Sequence, residues 1–426
     1  MPYRNTYVEV YLDNIKNNVE EIINHCRGYK YYFGVVKADC YGHYGNEVVK
    51  QIIAGGCNYL AVSSLEEALA IRKEIDDIPI LCLEVIDSQY LSICKENNIT
   101  ITIPSLEYFD SIDLSNLASL KVHIKIDTGM NRLGVNDSKE LDTIYQKISK
   151  SNIKLEGLYT HIYKASDKTK TDAQLSKFCT LTKNIPLETI PIIHLTASEA
   201  TILYPKPNFA NGCRLGIAMY GFTKSNLNLL STFRLVSEVI QLKYLKKGDT
   251  VGYDGAYRAK KDEIIAIVPI GYADGIIRAN KGRFVYINNK KYQIVGNICM
   301  DMLFIKVDQT IKVKDKVIII KDIEHIKEIA KHLNTIEYEV LCSIGKRVPR
   351  IYSLTKTIDK WYTSFILRRR LLWINIIVKF INNQRLLMQI KLCRWQVLFA
   401  VLSLELYRWL CSFLERGILW KGKQVY

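Results

Sequence analysis

Tyr31-Tyr32-Phe33-Gly34-Val35-Val36-Lys37 is an apolar, strand-like run that stops on a lysine, and Ala38-Asp39-Cys40-Tyr41-Gly42-His43 follows it. A lysine at the end of a buried strand is poorly solvated. Desolvation lowers its pKa and frees the amine as nucleophile or base, which is what a Schiff-base lysine needs. A lysine that snorkels to solvent has no such use, so the rest of the chain decides between the two. Other reactive side chains fall at comparable places. Lys125 and Asp127 close the run Leu120–Asp127, and Thr128-Gly129-Met130-Asn131-Arg132-Leu133-Gly134 follows. His161 closes Lys154–His161, and Ser198 follows Ile190–Thr196. Arg214 opens Arg214–Gly221, with Gly216 and Ile217 close behind. One such residue alone is bland. Their repetition at the ends of successive runs points to one shared site.

The elements that must position these groups recur along the chain. Strand-like runs at Tyr31–Lys37, Tyr59–Ser64, Ile78–Val85, Ile99–Ile103, Leu120–Asp127, Lys154–His161, Ile190–Thr196 and Arg214–Gly221 alternate with amphipathic stretches. Asp13 is expected to cap a first helix with Ile15, Val19, Ile22 and Ile23 on one face. Ser64 and Glu67 have capping-box spacing. The alternation predicts a (β/α)8 TIM-type barrel over residues 1–225, with its site at the C-terminal strand ends. A doubly wound sheet is the rival, but no GxGxxG follows the first strand. After Phe222 short runs follow with few helices between them: Glu238–Leu242, Ile264–Val268, Arg283–Ile287, Tyr292–Val295, Leu303–Val307 and Lys316–Ile320. They predict a mostly antiparallel β domain over 226–357, with a helix near Ile323–Leu333.

Residues 358–426 differ in kind. They hold all five tryptophans, and twelve Lys/Arg against three Asp/Glu. This tail therefore carries +9 of the formal +16 and leaves +7 on the other 357 residues. That remainder suits an acidic or phosphorylated small molecule rather than a nucleic acid. The tail reads either as a basic membrane-surface extension or as sequence unselected for this fold, and no catalytic role is expected of it. No basic-then-apolar leader opens the chain. The eleven cysteines show no CxxC pair and read as reduced thiols, so a cytoplasmic setting is expected, with no membrane span for residues 1–357. No metal is expected at the site.

The chain resembles the alanine racemase family through an ordered set of motifs. They are Val35-Val36-Lys37-Ala38-Asp39-Cys40-Tyr41-Gly42-His43, Lys125-Ile126-Asp127-Thr128-Gly129-Met130-Asn131-Arg132-Leu133-Gly134, Thr160-His161, and Arg214-Leu215-Gly216-Ile217-Ala218-Met219-Tyr220-Gly221. Val251-Gly252-Tyr253, Ile270-Gly271-Tyr272-Ala273-Asp274-Gly275, Gly296-Asn297-Ile298-Cys299-Met300-Asp301-Met302 and Arg347-Val348-Pro349-Arg350 continue the series. The resemblance spans roughly residues 5 to 355. It implies a pyridoxal 5′-phosphate enzyme that interconverts L- and D-alanine by a two-base mechanism and supplies D-alanine for peptidoglycan.

The resemblance also implies roles. Lys37 would hold the cofactor as a Schiff base and serve as base on one face of the substrate Cα, with Tyr253 as base on the other. His161 would assist Tyr253, and Arg214 would face the pyridine nitrogen. Tyr41, Ser198 and the backbone of Gly216 and Ile217 would cradle the phosphate, with Lys346 nearby. Arg132 and the Met300 amide would bind the substrate carboxylate, and Tyr272 and Asp301 would line the entrance. Lys125 stands where many members carry a carbamylated lysine. Because the family's β domain reaches over the other subunit's barrel, a head-to-tail homodimer is implied.

The chain departs from the family pattern at Asp39 and Tyr44, where asparagine and glycine are commoner, at Lys346, where many members have tyrosine, and in Thr160-His161-Ile162-Tyr163-Lys164 and Thr196-Ala197-Ser198-Glu199; Lys346 is the most serious. Lys346 opens serine as an alternative substrate. A non-enzymatic pyridoxal-phosphate-binding protein is the rival of another class, but such proteins lack the β domain that carries Tyr253. A decarboxylase on this fold would place glutamate where Arg214 stands.

Overall fold

The computed structural model describes residues 3–353. The expectations for 358–426 lie outside the described residues. Nineteen strands form two principal sheets and a small ribbon. In chain order they are β1 (Tyr7–Tyr11), β2 (Tyr31–Val35), β3 (Tyr59–Val62), β4 (Ile80–Cys82), β5 (Ile99–Ile103), β6 (Lys121–Lys125), β7 (Lys154–Tyr159), β8 (Ile192–Ala197), β9 (Gly212–Leu215) and β10 (Phe233–Glu238). Then come β11 (Gln241–Leu245), β12 (Thr250–Val251), β13 (Tyr257–Arg258), β14 (Glu263–Val268), β15 (Phe284–Ile287), β16 (Lys290–Val295), β17 (Leu303–Val307), β18 (Lys316–Ile320) and β19 (Arg350–Ser353).

Strands β2 to β9 close a parallel barrel, with β2 and β9 joined by pairs such as Phe33↔Arg214. β3, β4 and β5 are buried along their whole lengths, as strands covered on both faces must be. The second sheet runs β11-β14-β17-β16-β15-β18-β10-β1-β19. Its pairs are antiparallel except β1 with β19. The sheet therefore takes its strands from both ends of the described chain. Tyr7–Tyr11 precedes the barrel in sequence but pairs with β10 and β19, not with a barrel strand. Alternation in Tyr-Val-Glu-Val-Tyr buries Val8 and Val10 and leaves the other three half-buried.

Several local expectations shift. The first helix, Leu12–His25, already includes Asp13 in its first turn, so that residue is not the N-cap. Ser64 does cap the helix Leu65–Arg72, accepting from the Glu67 amide at 3.4 Å. Glu67 does not complete the box. Its carboxylate accepts from the amides of Ala38 at 2.6 Å and Ser63 at 2.8 Å. Glu238–Leu242 is not one strand, because the chain leaves β10 at Glu238 and re-enters as β11 at Gln241. Arg214 does not open its strand; it is the third residue of β9. Gly216 and Ile217 have already left the strand for a 3-10 turn, Ile217–Tyr220.

Candidate active site

One cavity of about 1080 Å³ opens at the C-terminal ends of the barrel strands. It is large enough for a cofactor-sized ligand and a small substrate. Lys37, Tyr41, Lys125, Arg132, His161 and Arg214 all line it, as do Ser198, Gly216 and Ile217. Residues from five separate segments thus meet, as the strand-end pattern requires. The wall also includes Ile336, Glu337 and Tyr338, which the sequence did not single out.

Lys37 follows β2 by two residues and is half-buried, so the full burial expected of it is only partial. Beyond it the backbone does something rare. Ala38, Asp39, Cys40 and Tyr41 have φ between 51° and 56°, and Gly42 has φ 78°. Four consecutive non-glycine residues in the left-handed region form a turn that costs on the order of 1–2 kcal/mol per residue. The surroundings hold it there. Glu67 accepts from Ala38, and Arg350 donates to the Gly42 carbonyl through Nη2 at 2.8 Å and Nε at 3.1 Å. His43 closes the turn, with Nδ1 3.0 Å from the Cys40 carbonyl and Nε2 2.8 Å from the Thr232 hydroxyl. The turn brings Tyr41, four residues past Lys37, into the cavity wall.

Tyr41 meets Ser198 and Gly216 there. The Gly216 amide donates to Ser198 Oγ at 2.7 Å. A Cβ built on Gly216 would stand 3.0 Å from the Tyr41 hydroxyl and 3.7 Å from Ser198 Oγ. Glycine therefore leaves a small space edged by two hydroxyls at the start of the Ile217–Tyr220 turn. This cradle fits an anion such as a phosphate.

Arg214 is buried and donates on two sides. Nη1 reaches the His194 carbonyl and His194 Nδ1, each at 2.8 Å, and Nη2 reaches the Thr160 carbonyl at 2.7 Å. Burial lowers its pKa to about 10, so it stays a cation at neutral pH. His161 Nδ1 lies 3.4 Å from Nη2. Burial first, then the charge of Arg214, depresses His161 to about 2, so its ring is neutral. Tyr159 underlies two basic groups, with Lys125 Nζ 4.7 Å and the Arg214 guanidinium 5.5 Å from its ring centre. Nothing about Tyr159 in isolation marks it, although its place just before Thr160-His161 in the same run is a signal.

Lys125 is buried. Desolvation, followed by the charges of Arg214 and Arg132, holds its pKa well below the usual lysine range. The loop after it is built on Asp127, whose Oδ1 accepts from the amides of Gly129, Met130 and Asn131 at 2.8 to 3.1 Å. Gly134 has φ 118°, and a Cβ there would lie 2.8 Å from Lys125 Cγ. The loop thus turns back against Lys125 and carries Arg132 into the cavity wall.

Tyr253, Tyr272, Met300 and Asp301 do not line this cavity. They lie together on linked loops of the second sheet. Tyr272 and Ala273 donate to the carbonyls of Cys299 and Met300, each at 3.0 Å, and Asn297 donates to the Tyr253 carbonyl at 3.2 Å. Asp301 pairs with Arg347 at 2.8 Å. Tyr253 is 71% exposed and Met300 52%. Lys346 is also outside the cavity wall. It lies 3.5 Å from Asp39 and over the Tyr44 ring, so Lys346 faces the two departures of the lysine motif.

Fold and site define a class: a barrel enzyme with a lysine and an anion cradle at its strand ends, joined to a mostly antiparallel β domain. Residues 10–224 match the family model "Alanine racemase, N-terminal domain" and residues 232–352 match "Alanine racemase, C-terminal domain". Alanine racemase 1 of Bacillus subtilis is 36% identical over 365 residues, covering 82% of this chain and 93% of the relative. The crystal structure of alanine racemase from Bacillus anthracis with bound L-Ala-P superposes with TM-score 0.78 at 33% identity, covering 83% of this chain and 96% of that one. A histidine racemase from Leuconostoc mesenteroides has TM-score 0.76 at 26% identity, covering 83% and 99%. The chain belongs to the alanine racemase family.

Proposed function

We propose that this protein interconverts L- and D-alanine with pyridoxal 5′-phosphate, as a homodimer. The observation that carries the reading is one cavity wall bearing Lys37, Arg214 and the Tyr41–Ser198–Gly216 cradle. Bound there, the cofactor would supply an aldehyde for amine exchange and a ring that draws electron density from the substrate Cα.

The chain's own residues would do the rest. Tyr41, Ser198 and the turn at Gly216 and Ile217 hold the phosphate. Lys37 would hold the cofactor, and its amine would move the proton on one face of the substrate Cα. Arg214 would face the ring nitrogen as a cation that keeps its own proton, since its pKa stays near 10. A ring nitrogen left unprotonated is a weaker electron sink, which disfavours transamination. Arg132 takes the substrate carboxylate in its planar fork.

The second base would be Tyr253 of the partner subunit. Its exposure, and its grouping with Tyr272, Met300 and Asp301 away from the cavity of its own chain, support a site completed by two subunits. The racemisation test is incubation of purified protein with L-alanine or L-serine in D₂O. Alanine is expected to lose its Cα proton and racemise faster than serine. No exchange with either amino acid ends the reading. Shared sites are tested by mixing the inactive variants Lys37→Ala and Tyr253→Phe. Recovery of activity on mixing is expected, because a hybrid dimer then holds one intact site. No recovery, with hybrids demonstrated, overturns the two-subunit arrangement.

A further inference from the structure

Beneath Arg214 the barrel interior is polar along its axis. Arg214 Nη1 is 2.8 Å from His194 Nδ1, His194 Nε2 is 2.9 Å from His123 Nδ1, and His123 Nε2 is 3.1 Å from Glu156 Oε2. Both histidines are fully buried. Arg214 pairs with Ala197, the last residue of β8, whereas Glu156 precedes Gly157, which pairs with Ile192, the first residue of β8. The chain therefore descends from the site toward the opposite end of the barrel, where Lys121 opens β6 and lies 3.3 Å from Glu156 Oε1.

Donor chemistry gives this chain one sense. A guanidinium only donates and a carboxylate only accepts. His194 Nδ1 must then be a lone pair, so its proton sits on Nε2. That proton requires a lone pair on His123 Nδ1, so the His123 proton also sits on Nε2 and reaches Glu156. Each ring is neutral and each donor is satisfied. Tyr59 at 2.6 Å and Thr100 at 3.2 Å fix the same Glu156 oxygen. Phe33 and Tyr159 stack on His194 at 4.4 and 4.7 Å between ring centres, which prevents a ring flip.

We propose that Glu156, His123 and His194 are positioning residues for Arg214, a one-way hydrogen-bond chain in which a carboxylate deep in the barrel dictates the tautomer that Arg214 meets. The proposal rests on the reading of Arg214 as partner of the cofactor ring only in its last step. Neutralising Glu156 allows the chain to reverse. A Gln amide can donate to His123, which then donates to His194 and turns the His194 Nδ1 proton against the guanidinium. A wrong tautomer behind a correctly placed group is costly in other enzymes.

The experiment has two arms. In the first, 15N-histidine NMR of the purified protein reads the tautomers without reference to catalysis. Both His123 and His194 are expected as neutral Nε2–H rings in the native chain, with Glu156→Gln giving mixed or reversed tautomers and Glu156→Asp restoring the native pattern. A charged ring, or Nδ1–H at either position in the native protein, overturns the chain. In the second arm Glu156→Gln is expected to shift the visible band of bound pyridoxal phosphate and lower kcat on the order of tenfold with KM little changed. Reversed tautomers with an unmoved band overturn the coupling to Arg214. A protein that binds no pyridoxal phosphate overturns the functional reading instead, and leaves the first arm standing.

Discussion

At the residue scale the site is a collection of cations brought close together, and Lys125 is where the strain of that arrangement collects. Burial first, then the charges of Arg214 and Arg132, push the pKa of its amine down. A neutral amine can attack CO₂, releasing a proton and leaving an anionic carbamate. That change converts the third cation into the counter-ion of Arg132. Lys125 is therefore expected to carry a carbamate, checked by 13C NMR after equilibration with labelled bicarbonate. Lys125→Gln should abolish the resonance and raise KM for alanine by roughly tenfold or more, the worth of one charge-assisted hydrogen bond. A native protein with no labelled carbonyl contradicts this.

Lys346 makes a second residue-scale prediction. It pairs with Asp39 and lies over the Tyr44 ring, so it meets both departures of the lysine turn. Lys346→Tyr is expected to lower the serine-to-alanine ratio of kcat/KM by about tenfold, the discrimination available to a small pocket change. Asp39→Asn alone should leave that ratio in place. If both variants leave the ratio unchanged, Lys346 has no part in specificity. The strand-end groups Lys37, Lys125, His161 and Arg214 were legible because chain order carries them. Glu156, His123 and His194 were not. His123 and His194 are 71 residues apart and meet only when the barrel closes.

At the element scale the left-handed turn 38–41 is the departure from ordinary helix chemistry. Ala38 is exposed, so replacing it removes almost no packing. In a right-handed helix Ala→Gly destabilises by about 1 kcal/mol. In a left-handed turn it removes a steric penalty of similar size. Ala38→Gly should therefore leave stability unchanged or raise it by up to about 1 kcal/mol, read from urea unfolding. A loss of about 1 kcal/mol would falsify the backbone described for this turn. No sequence signal marked it, because none of Ala38, Asp39, Cys40 or Tyr41 favours positive φ as glycine does. The barrel strands were legible because they are apolar runs divided by helices. β1 and β19 were missed for the opposite reason. They are short, half-exposed strands that pair with each other from opposite ends of the chain, and local pattern carries no such information.

At the scale of the whole molecule, burial of histidine sets how the fold responds to acid. Five of the seven histidines are held below their ordinary pKa, chiefly by desolvation: His43, His123, His161, His194 and His325. His43 and His325 fall to about 4 and His161 to about 2. The unfolded chain protonates these rings near pH 6.5, whereas the folded chain keeps them neutral to lower pH. Stability from these groups is thus complete above about pH 6.5 and is lost as pH falls toward the folded values. Each ring contributes a slope of about 1.4 kcal/mol per pH unit in that window. Glu156, depressed to about 2 by its hydrogen bonds to His123 and Tyr59 against the opposing effect of burial, adds a loss of the same sign only below about pH 4.5. Urea midpoints are therefore expected to be level from pH 8 to 7 and to fall steeply between pH 6 and 4. His43→Asn should reduce the slope by about one histidine's share, whatever it does to stability at pH 7. A native curve that stays flat to pH 4 would mean that these rings are not neutral inside the fold, and the tautomer chain below Arg214 would fail with it.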